Sequence, residues 1–376
     1  MKFLLIFIDM IAADNLHLCN EKAEMTALDE SFMKLGGTLY TNYYVPAPDT
    51  PRSAGCMWTG LYPKANGCDS RLKYPGYFLK PGIENIWDIF ANQGYSFNIF
   101  MRESNVKNGT LPGQYGKLAY KCDKGNDIDG FLKSVDLCEN SVTFLYLVDL
   151  HSHIEIYNAT KEGYKKGDYF EAQILARVFQ QLEADEFDHI FIFSDHGFRF
   201  AGENHRHLLE RDRIKTVLLW RQKGEIGLRR DPSLRTVMDM FPTICDILDY
   251  QTSNTVDGKN LLGEGHEYVL FEEHRQFTLQ IGMTAERWAV LWHDKLYWLD
   301  CEGWDLFEDP QAIDFDSEFF EKEIAERMSD YAMNKKIMEY IKRRPDIYAS
   351  MGNNQYSDGS PICYPDGTPL KIEGLC

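Results

Sequence analysis

The sequence predicts an α/β fold in which a central, mostly parallel sheet is flanked by helices and followed by a smaller antiparallel region. Three observations lead there. Short unbroken apolar runs end abruptly on polar residues, as FLLIFID does at 3–9, VTFLYLVD at 142–149 and HIFIFSDHG at 189–197, which is how strands covered on both faces of a parallel sheet read. Segments with apolar residues at three- and four-residue intervals lie between these runs. After residue 265 the pattern changes to apolar runs separated by turns, which suits antiparallel strands.

Taken in order, FLLIFID is too short for a secretory leader or for a membrane span, which needs about 20 apolar residues, and reads as a buried first strand. In YYVPAPDTPRSAGCMWTGLYP, Pro48 and Pro51 restrict a loop, and a helix can begin just after Pro51. NIWDIFANQGY, 85–95, reads as a helix closed near Gly94, and YFEAQILARVFQQLEAD, 169–185, as a longer amphipathic one. SLRTVMDMFPTICDIL, 233–248, is expected to be helical, with Pro242 starting a segment or kinking it. HEYVLFEEH and FTLQIGMTAERWAVLWHDKLYWLD suggest antiparallel strands, followed by a charged helix at 318–342 and a turn-rich end at 345–376. This divides the chain into a catalytic α/β unit, 1–264, and a smaller C-terminal region, 265–376.

With 40 Lys+Arg against 58 Asp+Glu the formal charge is −18. That excess argues against a nucleic-acid polymer or an anionic membrane as partner, and no membrane insertion is expected, though a local basic pocket could still hold a phosphate or sulfate. Nine cysteines lie scattered without CxxC pairs or zinc-finger spacing, which favours reduced thiols and a cytoplasmic location.

Groups at the carboxyl ends of parallel strands converge where such sheets bind ligands. Asp9 stands at one such end, with a helix cap as its plainer reading. Asp195 and His196 leave a strand together, and Gly197 permits a tight departure; a carboxylate and a neutral imidazole both donate well to a divalent metal. Asp149 and His153, four residues apart, fall on one side of a helical turn or fold together from a loop; His151 is an alternative to His153. His207 or His205, in GENHRHLLERDR, could complete a second donor set, and spacing does not choose between them. Thr50 offers a hydroxyl that a divalent cation would activate as a nucleophile, and Arg52 a guanidinium for substrate oxygens. His17, His151, Arg71 and Arg102 receive no firm role. Glu272, Glu273, His274 and Arg275 are explained nearly as well by a solvated turn, and Trp288, Trp292 and Trp298 by packing.

These residues carry a resemblance. Asp9 after the first strand, TPRSAGCMWTGLYP at 50–63, SDHG at 194–197, VDGKNLL at 256–262 and DLFEDP at 305–310 together resemble the sulfatase branch of the alkaline phosphatase superfamily. The resemblance implies an alkaline-phosphatase-like three-layer sandwich. Typical sulfatases modify a cysteine or serine to formylglycine; counting back from Thr59-Gly60 puts Thr50 at that position, whereas counting from Pro51 puts Asp49 there. Neither can supply formylglycine, so the resemblance points to the phosphodiesterase, phosphomutase and phosphotransferase relatives that use threonine directly. It further implies two divalent ions, zinc or manganese, one held by Asp9, Thr50, Asp195 and His196, the other by Asp149, His153 and His207 or His205.

The function expected is metal-dependent hydrolysis of a phosphodiester or phosphomonoester through a phosphothreonine, on a small phosphorylated metabolite or a phosphorylated glycan. Transfer of a phosphoryl-linked group to a glycan, sulfuric-ester hydrolysis and a non-catalytic binding scaffold are the alternatives.

Overall fold

The computed structural model describes residues 1–68, 79–102, 112–120, 127–200, 209–275, 278–285, 288–292, 296–300 and 317–328. Among these, the main sheet contains β1 (Lys2–Ile8), β2 (Gly37–Tyr44), β3 (Ser96–Phe100), β4 (Ser141–Leu147), β5 (His189–Phe193), β6 (Lys215–Gln222), β7 (Leu228–Asp231) and β8 (Arg235–Thr236). Their order is β3-β4-β1-β5-β6-β2-β7, with β8 also on β2. The half that presents the candidate site is parallel: β4 and β5 flank β1 and run with it. β6 then pairs antiparallel with both β5 and β2.

Alternation along β1 builds the layers. Phe3, Leu5 and Phe7 share a core with helices α2 (Thr50–Thr59), α3 (Ile86–Asn92) and α7 (Met240–Ile247). Leu4, Ile6 and Ile8 face the opposite layer, which includes α1 (Ala27–Leu35), α4 (Ile128–Ser134), α5 (Asp149–Ile156) and α6 (Lys161–Gln181). Successive strand side chains point to opposite faces, so both faces of this strand are dry and a continuous apolar run results. The architecture is the expected three-layer α/β sandwich.

β9 (Val269–Arg275), β10 (Thr278–Thr284), β11 (Trp288–Trp292) and β12 (Leu296–Asp300) form a separate antiparallel sheet, and a helix follows at 317–328. Trp292 packs beside Leu270 and Ile281. The remainder of the expected 318–342 helix, the 345–376 segment, Arg71, His205 and His207 lie outside the described residues.

Two helices start elsewhere than their periodicity suggests. α6 begins at Lys161, earlier than 169, because Thr160 caps it by accepting from the Gly163 amide at 3.1 Å. Its first turns are hidden from a hydrophobic pattern by glycine: a Cβ on Gly167 would lie 2.8 Å from Leu150 Cδ1 and 2.9 Å from the Leu150 Cα. Close packing on α5 and the burial of Tyr164 hold those turns. α7 begins only at Met240, since Arg235 and Thr236 pair with Tyr43 and Tyr44. Pro242 consequently sits in the first turn of α7, where its missing N–H would have had no intrahelical partner.

Candidate active site and metal centre

Asp9 directly follows β1, held by a bond from its amide to the Leu147 carbonyl at 3.0 Å. The chain then turns through Met10 at φ +72°, a left-handed conformation that costs a non-glycine residue of order 1–3 kcal/mol. The turn aims the Met10 amide at Asp195 Oδ1, 3.4 Å away. Asp195 and His196 leave β5, fixed by Ser53 Oγ donating to the Asp195 carbonyl at 2.6 Å. The Ile11 amide donates to Ser194 Oγ at 2.9 Å, and Ser194 Oγ in turn donates to the His196 carbonyl at 3.2 Å. Gly197 is required by close approach: a Cβ there would stand 1.9 Å from the Asp212 carbonyl oxygen.

Asp9, Asp195 and His196 are buried and bring one donor atom each within 4.8 Å of one another. His196 Nδ1 lies 2.7 Å from the Gly197 carbonyl; a carbonyl only accepts, so Nδ1 carries the hydrogen and a neutral ring presents its lone pair at Nε2. That nitrogen is 3.4 Å from Asp195 Oδ2. Asp195 Oδ2 and Asp9 Oδ1 are buried, and no hydrogen-bond donor reaches either among the described residues. Burial, and then the Asp195 charge, push the Asp9 carboxyl up to about 8 against the pull of His196 and Tyr146. Two orphaned carboxylate oxygens and an imidazole lone pair fit a divalent cation, whose charge would offset these penalties.

Tyr146, near the end of β4 and paired with Phe7 in register, donates to Asp9 Oδ2 at 2.5 Å. Thr50 opens α2, whose inner face is anchored by Trp58 against Trp87 at 5.2 Å and Phe193 at 5.9 Å between ring centroids. Asp49 caps the helix: its carboxylate accepts from the Arg52 amide at 3.3 Å and from Arg52 Nε at 2.5 Å.

Arg52, expected to serve substrate oxygens, is tied into an interior ion-pair cluster. It is fully buried, and its Nη2 donates to Glu273 Oε1 at 3.0 Å. Arg213 donates to Glu273 Oε2 at 3.0 Å and to the Pro48 carbonyl at 3.2 Å. The Glu272 amide donates to the Pro46 carbonyl at 2.7 Å, and Arg327 Nε donates to the Glu272 carboxylate at 2.5 Å. Glu272 and Glu273 are thus interior anchors for the Pro46–Arg52 loop, in place of the solvated turn their charge suggested.

Of the second expected donor set, the described residues Asp149 and His153 are not part of the Asp9 cluster. Asp149 opens α5 and pairs with Arg102 Nη2 at 3.4 Å. His153 Nδ1 donates to the Asp149 carbonyl at 2.7 Å, and its ring stacks on Phe170 at 4.5 Å. His151 lies 3.8 Å from Glu155. Tyr146 is the site residue that strand reading passed over; its signal was a hydroxyl near the end of an otherwise apolar run.

A model of the family described as Sulfatase matches residues 2–250. The chain belongs to the sulfatase family. Solved structures similar to this sulfatase-family protein include a 2-O GAG sulfatase, at 14% identity and TM-score 0.64 over 99% of this chain and 98% of that one. A phosphonate monoester hydrolase from Silicibacter pomeroyi aligns at 16% identity and TM-score 0.61 over 87% and 95% of the two chains. A protein of the alkaline phosphatase superfamily from Vibrio parahaemolyticus does so at 17% and 0.60 over 92% and 88%. At these identities the likeness is one of fold. No curated protein matches the sequence significantly.

Proposed function

We propose that this sulfatase-family protein hydrolyses phosphate esters, mono- or diesters, with Thr50 as nucleophile. The observation that carries the reading is that α2, which Thr50 opens, abuts the buried cluster of Asp9, Asp195 and His196 through Ser53 Oγ on the Asp195 carbonyl. A divalent ion held by those three residues would supply charge that acidifies a nearby hydroxyl and draws electron density from the ester oxygens. Thr50 Oγ forms the bond to phosphorus as the ester P–O bond breaks, and the leaving oxygen departs with that electron pair and takes up a proton. Water then attacks the phosphothreonine, forming phosphate or a phosphomonoester and restoring the hydroxyl. Arg52 and Glu273 keep the first turn of α2 in place.

The second ion expected at Asp149, His153 and His207 or His205 belongs to the same proposal, although Asp149 here is paired with Arg102. Sulfate-ester hydrolysis is the second reading, favoured by the family match; a sulfated or phosphorylated glycan is the substrate class suggested by the 2-O GAG sulfatase likeness. Transfer to a glycan hydroxyl differs only in the acceptor that replaces water. The scattered cysteines favour a reducing, cytoplasmic setting.

Elemental mass spectrometry on protein purified without chelator, paired with assays on aryl phosphate mono- and diesters and aryl sulfates, tests the reading. The expected result is bound zinc or manganese that falls in Asp195→Ala, phosphoesterase turnover that is lost in Thr50→Ala, and phosphate trapped on Thr50 by rapid quench. Near one or near two ions per chain decides the second site. Sulfate turnover with Thr50→Ala fully active would overturn the proposal.

A further inference from the structure

The hydroxyl of Tyr146 commits its hydrogen to Asp9 Oδ2 at 2.5 Å. Asp9 Oδ2 is thereby occupied, leaving Oδ1, which no donor reaches among the described residues, as the oxygen turned to the cation.

The structure supports a role for the ring as well as for the hydroxyl. Tyr146 is 3% exposed, and its ring lies 4.5 Å from that of Phe7, which also stacks on Phe193 at 5.4 Å. Phe7 and Tyr146 are register partners on β1 and β4. The phenol is thus carried by the two strands that form the middle of the sheet, and its oxygen has little freedom. A rigid donor next to a metal-binding carboxylate fixes that carboxylate's orientation.

We propose that Tyr146 is a positioning residue, which selects the oxygen of Asp9 that turns to the cation. This rests on the metal-dependent hydrolase reading above and deepens it.

Tyr146→Phe tests it, since it keeps the ring and removes one oxygen. On metal-stripped protein titrated with manganese or zinc by calorimetry, the variant should bind about tenfold or more weakly, as expected when a partner hydrogen-bonded to a metal ligand is lost. At saturating metal, kcat should fall by about tenfold or more with KM nearly unchanged, the pattern for a group that acts in the transition state. Phe3→Leu, four residues earlier on β1 and packed on Phe90 and Tyr95, is the packing control: it should lower Tm and leave kcat near wild type. Wild-type metal affinity and kcat in Tyr146→Phe, with Thr50→Ala inactive, would overturn the positioning role and leave the nucleophile reading standing. An equal loss of kcat in Phe3→Leu would assign the effect to packing and overturn it too. Wild-type protein that binds neither manganese nor zinc would instead remove the metal-site reading on which the inference rests.

Discussion

Replacing Glu273 by Gln should expose how strongly the antiparallel sheet holds the Thr50 loop. Glu273 is fully buried between two guanidiniums, with one carboxylate oxygen 3.0 Å from Arg52 and the other 3.0 Å from Arg213. With Asp49 the cluster has two positive and two negative charges. Glutamine removes one negative charge, and its amide can accept from only one arginine while its NH2 group faces the donors of the other. The buried pairing of Glu273 with the two arginines is weakened, and breaking a buried pair costs about 3–5 kcal/mol. That is a large fraction of the 5–15 kcal/mol typical of a whole domain. Urea unfolding at neutral pH reads the loss directly. Because Arg52 and Arg213 also grip Asp49 and the Pro48 carbonyl, kcat should fall in the fraction that remains folded. A loss below about 1 kcal/mol, the range of exposed ion pairs, would refute the interior-anchor argument.

Two further outcomes follow from buried geometry. Asp168, which receives the Ala27 amide at 3.0 Å, has its carboxyl pushed up from 3.8 to about 6, chiefly by burial. The folded state then binds the proton more tightly than the unfolded one, so stability falls as pH rises through roughly 4 to 6, by about 3 kcal/mol at 1.36 kcal/mol per unit. Asp168→Asn should flatten that part of the curve in urea titrations, and parallel curves for the two proteins would contradict the linkage. Gly197→Ala must move the Asp212 carbonyl, at about 1–3 kcal/mol for an overpacked position. Because His196 donates to the Gly197 carbonyl, bound metal should fall along with Tm; unchanged metal content would show that the turn does not set the histidine.

The groups legible in the sequence were those whose signal is local. Asp9 and the Asp195-His196-Gly197 turn follow apolar strands directly, and the sheet brings those strand ends together through parallel pairing of β1 with β5. β2 and β6 were missed as elements: TLYTNYY mixes polar and aromatic residues, and KTVLLWRQ follows a basic stretch that obscures its start. The pairing of Arg52 with Glu273 joins positions 221 residues apart, and no spacing rule connects a loop to a strand in a different sheet. A charged run such as EEHR reads as solvated because isolated charges are rarely buried; Arg52 and Arg213 on Glu273 and Arg327 on Glu272 make the burial of the two glutamates tolerable. The early turns of α6 were hidden for the opposite reason, since glycine permits close helix packing without leaving an apolar stripe.

The hardest point was a register of one residue. Asp49 and Thr50 both answer to the position of the family's reacting side chain, depending on which end of the motif is counted. Their surroundings separate them. The Asp49 carboxylate caps α2 through the Arg52 amide and binds the Arg52 side chain, so its charge is neutralised inside the protein and its oxygens are engaged. Thr50, one residue on, is only partly buried and opens the helix whose Ser53 Oγ holds the Asp195 carbonyl. A helix start therefore divides two tasks between neighbours: the acid closes the backbone, and the hydroxyl is left to the site. The arginine at position 52 makes this division work, because it gives Asp49 a partner one turn along.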